Sequence, residues 1–375
     1  MSIQIPLLAL RRALPALFLA SLLQTASAKE LLVVQVAPLS GPQGVTGKAV
    51  QAGARLYFDH INAQGGVAGN TIKLISRDDE NKPEETVRLV KESLANEQPV
   101  AFLGSVGTNN VEALIRDGSL ARANTPLVGP LSGASSMIGA PATYVVKATY
   151  RDEVESLFRQ LSQTGQSKVG LVYQDDSLGK DVLNSADNAT GKYGIQLVVR
   201  AGYERNTLKV ENAVDSMIKS APQSIFLGAT TAAAIEFVRQ YRQKGGIAAI
   251  YGLSIIDTQQ LLTKLGPTLA RGYAFSVVMP LENKTSVPLI REYARLKDTA
   301  KDANLTARSI EGFIAAKALV NALKQGNSNG PATAKALSGS KFDLGGYTLD
   351  FTSSKRTGST FVDFAMIGDN GRIVQ

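Results

Sequence analysis

The feature that most constrains this chain is a regular alternation of short apolar runs with helical periods. Runs of strand length recur from residue 31 to residue 278, and stretches with apolar residues at helical spacing lie between them. Such alternation implies parallel strands covered on both faces by helices. The predicted strands are 31–38, 71–76, 100–103, 127–129, 169–173, 195–199, 224–227, 249–253 and 272–278.

The helical periods fill the gaps between these strands and continue beyond them. The predicted helices are 49–62, 83–96, 111–123, 152–164, 181–193, 209–220, 232–244 and 258–265, then two longer ones at 287–301 and 308–324. The tail is predicted to contain paired strands, 347–351 and 361–367, with Asp369-Asn370-Gly371 as a turn.

The number of strands and the length of the chain indicate two lobes rather than one. More strands are predicted than one sheet holds comfortably, and the strand–loop–helix–strand order of 31–76 repeats at 168–199. We therefore predict an α/β fold of two similar Rossmann-like lobes, with parallel sheets flanked by helices. Lobe 1 is expected to span 29–148 plus about 279–352, and lobe 2 about 149–278 plus 353–375.

The N-terminal segment has the pattern of a signal peptide. Arg11 and Arg12 precede an apolar run, 13–23, and a small-residue cleavage site at Ala26-Ser27-Ala28. We expect cleavage after Ala28 and a periplasmic location. An uncleaved anchor is the alternative, but the run is about half of the roughly 20 residues that span a bilayer. Because the chain has no cysteine, a lipid-anchored N-terminus and disulfides are both excluded.

Composition also excludes several classes of active site. The chain has one histidine, His60, within a helical pattern, and no cysteine, so the usual zinc sites are excluded. A Ser–His–acid triad would have to recruit His60, and no G-x-S-x-G motif occurs. Residues 44–48 fail as a phosphate loop because Ala49 replaces the Ser/Thr that would hold magnesium. We expect no enzyme activity, cofactor or metal. The net charge of +8 is scattered, which indicates no nucleic-acid partner.

Two loops rich in glycine and hydroxyl residues point instead to binding. Residues 104–109 follow the strand 100–103, and residues 129–136 follow the strand 127–129. Ligands of open α/β sheets bind beyond the carboxyl ends of the strands, and helix N-termini there favour anions. The alternative is ordinary N-capping by Ser and Thr.

With these loops the chain resembles the periplasmic solute-binding proteins of ABC importers, in the group related to leucine/isoleucine/valine receptors. The resemblance covers nearly all of the chain after the leader. Its landmarks are Ser40-Gly41-Pro42, 61–69, Arg77-Asp78-Asp79, 104–108, 125–130, 173–176, Gly179, 203–207, Glu311-Gly312 and 342–346.

The resemblance implies a type I periplasmic binding fold of two lobes joined by three hinge crossings, with a ligand held in the cleft between them. Hinge closure of periplasmic binding proteins is a standard example of such motion. The implied partners are a small-molecule ligand, an amino acid or organic acid, and an inner-membrane permease with its ATPase; the receptor itself is expected to be a monomer. By position, the first lobe holds the ligand carboxylate and Tyr150 stands at the cleft rim. The residues implied on lobe 1 are Ser105, Thr108, Ser132, Gly133 and Ala134.

The second lobe departs from the family pattern at three positions. Ser254 stands where amino-acid-binding relatives have a glutamate for the ligand ammonium, and Leu178 and Thr230 stand where they have tyrosines. A buried ammonium without a countercharge costs several kcal/mol. The sequence therefore favours a carboxylate without an α-amino group, or an amide, unless an aspartate supplies the charge. The candidates for that role are Asp175, Asp176 and Asp257.

Two other functions fit parts of the sequence. A sensory protein of the same fold would pass ligand occupancy to a chemoreceptor or sensor kinase, and one chain does not separate sensing from delivery. A secreted hydrolase would need His60 and would lose its activity in His60→Ala.

Overall fold

The computed structural model of the protein describes residues 29–326 and 329–375. The predicted signal peptide, 1–28, with its cleavage after Ala28, lies outside the described residues. Within the described part, no helix is both long enough and apolar enough to cross a membrane. The predicted α/β fold of two lobes is confirmed: two separate, mainly parallel sheets carry helices on their faces.

The first sheet, which defines lobe 1, is parallel throughout. Its strands are β1 (Glu30–Ala37), β2 (Thr71–Asp78), β3 (Ala101–Leu103), β4 (Leu127–Val128) and β5 (Thr143–Tyr144), in the order β2-β1-β3-β4-β5. Val33, Val34 and Val36 of β1 are all buried, because helices cover both faces of the sheet. Strand β5 was not predicted, since two residues carry no periodicity.

The second sheet, which defines lobe 2, is parallel except at one edge. Its strands are β6 (Lys168–Gln174), β7 (Gln196–Tyr203), β8 (Ser224–Gly228), β9 (Ala249–Gly252), β10 (Tyr273–Val277), β13 (Asp363–Ile367) and β14 (Ile373–Val374), in the order β14-β13-β10-β9-β8-β6-β7. A separate hairpin is formed by β11 (Lys341–Asp343) and β12 (Thr348–Asp350).

The predicted pairing of the tail strands with each other is wrong. Strand β12 pairs with β11, and β13 pairs antiparallel with β10 and β14. The reason is packing: Leu349 and Phe351 are buried in the core of lobe 1, whereas Ala365 and Ile367 are buried in lobe 2. The turn at Asp369-Asn370-Gly371 is present, between β13 and β14.

Helices flank both sheets. The helices between β1 and β4 are α1 (Gly44–Ala63), α2 (Pro83–Asn96), α3 (Thr108–Asp117) and α4 (Ser119–Arg122). Lobe 2 has α5 (Tyr150–Gln163), α6 (Ser177–Tyr193), α7 (Glu211–Ser220), α8 (Thr231–Gln243) and α9 (Thr258–Ala270), and α10 (Pro288–Ala300), α11 (Ser309–Leu323) and α12 (Gly330–Ser338) follow. The helix predicted at 111–123 is divided at Gly118, whose φ of 71° ends α3 with a left-handed cap.

Three passages of the chain join the lobes. They lie between β5 and α5, between β10 and α10, and between β12 and β13. The Tyr347 hydroxyl donates to the carbonyls of Val146 (2.8 Å) and Val278 (3.1 Å), and so ties two of these passages together. Beyond the second passage, α11 packs against α1 in the core of lobe 1.

Candidate functional site

A narrow cavity of about 50 Å³ lies between the lobes, at the carboxyl ends of parallel strands from both sheets. We call it the cleft cavity. The carboxyl ends of the strands are where ligands of open α/β sheets bind. Lobe 1 lines it with Gln43, Thr46, Asn81, Val106, Gly107, Thr108, Asn109 and Leu131. The facing lining consists of Tyr150, Gln174, Asp176, Leu178, Arg205, Thr230, Thr231 and Ile255.

The lobe 1 wall presents the N-terminus of helix α3. Gly107 precedes the helix with a φ of 101°, a conformation that favours glycine, and Thr108 is the first helical residue. The first N–H groups of a helix have no partner within it and carry a partial positive charge. This wall is therefore suited to an anion.

Hydroxyl groups of lobe 1 form a connected cluster beside that helix end. The Thr108 and Ser132 hydroxyl oxygens are 2.9 Å apart, and the Ala134 N–H donates to Ser132 Oγ at 3.3 Å. Tyr150 packs on this cluster, with its N–H donating to the Gly133 carbonyl (2.7 Å). Burial raises the pKa of the Tyr150 phenol above its ordinary value.

Gly133 is required where it contacts Tyr150. A Cβ at Gly133 would lie 2.8 Å from Tyr150 Cδ1 and 2.9 Å from the Tyr150 nitrogen. Real Cβ atoms do not approach this closely, so a larger residue would push the start of α5 away from lobe 1. The small residues predicted at this loop thus set the spacing between the lobe 1 wall and Tyr150.

On lobe 2, Asp176 is held by several partners. Its carboxylate caps α6 by accepting from the N–H groups of Leu178 (3.0 Å) and Gly179 (3.3 Å), and it also accepts from the Gln174 amide (2.7 Å). Arg205 Nε lies 3.2 Å from Asp176 Oδ2. Burial raises the pKa of Asp176, and these contacts oppose that rise. Asp176 is thus already engaged and would have to leave Arg205 to neutralise a ligand ammonium.

Several hydrogen bonds join the lobes across the mouth of the cavity. Arg205 Nη2 donates to the Asn81 carbonyl (3.0 Å) and to Asn110 Oδ1 (3.2 Å), and the Asn81 amide donates to Asn206 Oδ1 (2.9 Å). Two main-chain groups contribute as well: the Ser177 N–H donates to Asn109 Oδ1 and the Ser135 N–H to Asp181 Oδ1, both at 3.0 Å. The lobes are therefore closed on each other.

The structure separates the nine residues expected at the site into groups. Thr108, Tyr150, Leu178 and Thr230 line the cleft cavity. Ser132, Gly133 and Ala134 lie behind that lining, in the loop that supports Thr108 and Tyr150, whereas Ser254 is turned elsewhere. Ser105 is buried, and within the described residues its hydroxyl has no hydrogen-bond partner.

Ser254 contacts a buried glutamate that the sequence analysis missed. Its N–H and hydroxyl donate to the Glu153 carboxylate at 2.8 and 2.9 Å, and the Ser276 hydroxyl donates to the same group. Burial raises the pKa of Glu153, and Lys147 together with these donors opposes the rise. Glu153 follows Thr149 in the first turn of α5, and nothing local in the sequence relates it to Ser254.

A second group of charges lies beside Glu153, where the lobes meet. Lys147 Nζ is 3.0 Å from Glu311 Oε1, Arg308 Nη1 is 3.1 Å from Glu311 Oε2, and Arg308 Nη2 donates to the Ser254 carbonyl at 2.5 Å. Lys147 and Glu311 are 0% and 1% exposed. The hinge region is thus held together by charges that are almost fully buried.

The other aspartates considered for a ligand ammonium do not reach the cleft cavity. Asp175 is exposed, and Asp257 caps α9 by accepting from the Gln260 N–H at 3.0 Å. His60 lies on α1, where its ring contacts the Gln64 amide at 3.1 Å. It is not part of the cavity lining.

Comparisons with known proteins agree with this geometry. A family model described as periplasmic binding protein matches residues 33–372. The solved substrate-binding periplasmic protein from Ralstonia solanacearum is 43% identical, with a TM-score of 0.89 over 92% of this chain and 99% of that one. The Leu/Ile/Val-binding protein homolog 8 of Brucella abortus (strain 2308) is 22% identical over 331 residues, covering 84% of this chain and 81% of its own.

A fourth similarity is one of fold alone. The structure of a branched chain amino acid ABC transporter protein from Thermus thermophilus with bound valine is 18% identical, with a TM-score of 0.84. The match covers 92% of this chain and 95% of that one.

Proposed function

Because this chain belongs to the periplasmic binding protein family, we propose that it is the receptor of an ABC importer, which captures a small carboxylate and delivers it to an inner-membrane permease. Like its relatives, it is a binding protein and not an enzyme. The proposal includes export to the periplasm with cleavage after Ala28. The observation that carries it is the cleft cavity, which both lobes line and which cross-lobe hydrogen bonds close.

The ligand class follows from the charges of the cavity lining. The N-terminus of α3 offers a partial positive charge, whereas Asp176 and Arg205 are paired with each other. Ser254 and Ser276 enclose the Glu153 carboxylate, and Glu153 is not part of the lining. The lining therefore favours a carboxylate without an α-amino group, such as a small organic or aromatic acid.

We assign the contacts of this ligand to residues of both lobes. On lobe 1 the contact is Thr108, which is supported by Ser105, Ser132, Gly133 and Ala134. On lobe 2 the contacts are Tyr150, Leu178, Arg205 and Thr230.

Closure of the lobes supplies the mechanism. A ligand shifts an open–closed equilibrium only by its differential affinity for the two states, and a shift from 1:99 to 99:1 needs about 5.5 kcal/mol. The cross-lobe hydrogen bonds of Arg205 and Asn81 form only when the lobes meet. A ligand that contacts both walls adds to them, so the closed state would be the one presented to the permease.

Mass spectrometry of small molecules released from the purified, denatured protein tests the ligand class directly. We expect an acid without an α-amino group, and titration calorimetry with that acid should then give a tight 1:1 complex. Tight binding of leucine or valine would contradict the proposed class. A transport assay separates delivery from sensing. If the protein delivers its ligand, uptake of that ligand should be lost in cells that lack the partner permease.

Thr108→Ala is expected to weaken binding of the released ligand about 2- to 12-fold, because one neutral hydrogen bond contributes about 0.5–1.5 kcal/mol. Titration calorimetry measures the change. Thr299→Ala, which removes an exposed threonine of α10, serves as the control and should bind like the wild type. Wild-type affinity in Thr108→Ala would show that the ligand lies elsewhere.

Arg205→Met is expected to weaken binding about 10- to 150-fold, since hydrogen bonds to a charged group contribute about 1.5–3 kcal/mol and Arg205 joins the lobes. Small-angle scattering of the unliganded variant should also show a larger radius of gyration. The control is Arg200→Met, which removes an exposed ion pair with Asp187. Unchanged affinity and unchanged radius would refute a closing role for Arg205.

A further inference from the structure

A second and larger cavity, about 370 Å³, lies beside the hinge. We call it the hinge cavity. Its lining includes residues 254, 256–259 and 275–277 of lobe 2, residues 278–283 of the second passage, and Arg308 and Ile310 at the start of α11. Its volume falls in the range of about 300–1,000 Å³ that small-molecule sites occupy.

The hinge cavity is distinct from the cleft cavity. The segment 254–257 stands between them, with Ile255 on the cleft side and Ser254, Ile256 and Asp257 on the hinge side. Among the described residues, the two linings have no member in common. A molecule in the hinge cavity would therefore leave the proposed carboxylate contacts untouched.

Most of the hinge cavity is apolar. The apolar side chains come from the loop between β9 and α9, β10, the second passage, the start of α11 and the C-terminal strand β14. They are Ile256, Phe275, Val277, Val278, Met279, Pro280, Leu281, Ile310 and Ile373. Polar side chains that are exposed, Gln259 and Asn283, mark the solvent side of the cavity.

The charged side chains of the lining already have partners. Arg308 is paired with Glu311 and donates to the Ser254 carbonyl, and Asp257 caps α9. Glu282 is paired with Lys297. An anionic ligand would enter this cavity without a free countercharge, and a cation would meet only the Asp257 carboxylate, which already accepts from the Gln260 N–H and side-chain amide. Burying an unpaired ion costs several kcal/mol. A neutral molecule pays no such penalty and gains from the apolar lining.

We propose that the hinge cavity is a second binding site, selective for a small, neutral, mainly apolar molecule with a single polar end directed toward Gln259 and Asn283. Its occupant would contact lobe 1, lobe 2 and the passage between them at once. The site does not depend on the cleft ligand or on delivery to a permease.

Fluorescence titration with the neutral probe N-phenyl-1-naphthylamine tests the site on the full exported chain. We expect saturable binding with one probe per protein. Met279→Trp, which fills the hinge cavity from a half-buried position, should weaken probe binding at least tenfold. The matched control Met366→Trp lies on β13, is 44% exposed and is outside the lining, and should bind within twofold of the wild type.

Either of two fluorescence results would overturn the proposal: no saturable binding by the wild type, or equal affinity in Met279→Trp and Met366→Trp. Circular dichroism checks that the variants are folded, and Leu281→Trp replaces Met279→Trp if the latter is not. A crystal grown with 1-bromonaphthalene gives an independent reading, since its anomalous signal should lie between Val277 and Leu281. Bromine density in the cleft cavity alone would also refute the site.

Discussion

Glu311→Gln is expected to lower the free energy of unfolding by about 3–5 kcal/mol, the usual result of removing one partner of a buried ion pair. Lys147 Nζ lies 3.0 Å from Glu311 and is fully buried, so the variant leaves an ammonium with no carboxylate at contact distance there. Arg308 loses its carboxylate partner as well. Because whole domains are stable by only about 5–15 kcal/mol, this loss is large. Urea denaturation followed by circular dichroism measures it.

The control for Glu311→Gln is an exposed pair of the same chemistry. Glu155 and Lys192 form an ion pair 2.8 Å long whose side chains are 40% and 60% exposed. Glu155→Gln should cost less than about 1 kcal/mol, as surface pairs do. The double variant Lys147→Met/Glu311→Gln should recover part of the lost stability, because it removes the stranded ammonium. A loss below about 1 kcal/mol in Glu311→Gln would contradict the assigned role of this pair.

Gly53→Ala is expected to destabilise the protein by about 3 kcal/mol or more, although alanine is the better helix former. A Cβ at Gly53, in α1, would lie 1.8 Å from the Ser309 carbonyl oxygen of α11. From the other side, a Cβ at Gly312 would lie 2.1 Å from the Val50 carbonyl oxygen. The two helices thus meet backbone to backbone, and a methyl group forces them apart. Arg308 and Glu311 at the start of α11 would move with it.

Gly191→Ala separates the effect of helix propensity from the effect of steric overlap between helices. Gly191 lies in α6, and a Cβ there would have no atom within 4 Å. This variant should gain about 0.5–1 kcal/mol, the difference between glycine and alanine inside a helix. Thermal unfolding of the two variants side by side should therefore give melting temperatures that move in opposite directions. A Gly53→Ala variant as stable as Gly191→Ala would refute the close contact.

The sequence alone predicted those parts of the fold that depend on local pattern. The helix at 83–96 has the predicted bounds, with Pro83 at its start, because its apolar spacing and its terminal signals are contiguous in the chain. The apolar run that forms β1 predicted a strand equally clearly. The tail pairing was wrong, since β13 is assigned to lobe 2 by the burial of Ala365 and Ile367 and not by its neighbours in sequence.

The candidate site shows the same division. The loop at 104–109 and the small residues at 132–134 were identified because glycine and hydroxyl residues between a strand and a helix have a local meaning. Glu153 was missed, since its partner Ser254 is 101 residues away. Arg205 was part of a family landmark, but its contact with Asn110, 95 residues away, exists only where the two lobes face each other.

By itself, then, the sequence determined the α/β class, the two lobes, the glycine and hydroxyl loops and the absence of cysteine chemistry. Each of these follows from residue type and short-range periodicity. The tertiary structure decided which charges are paired, that Ser254 turns toward Glu153, and that a separate apolar cavity lies beside the hinge. These features depend on distances between segments far apart in the chain, and such distances are set only when the helices and sheets pack together.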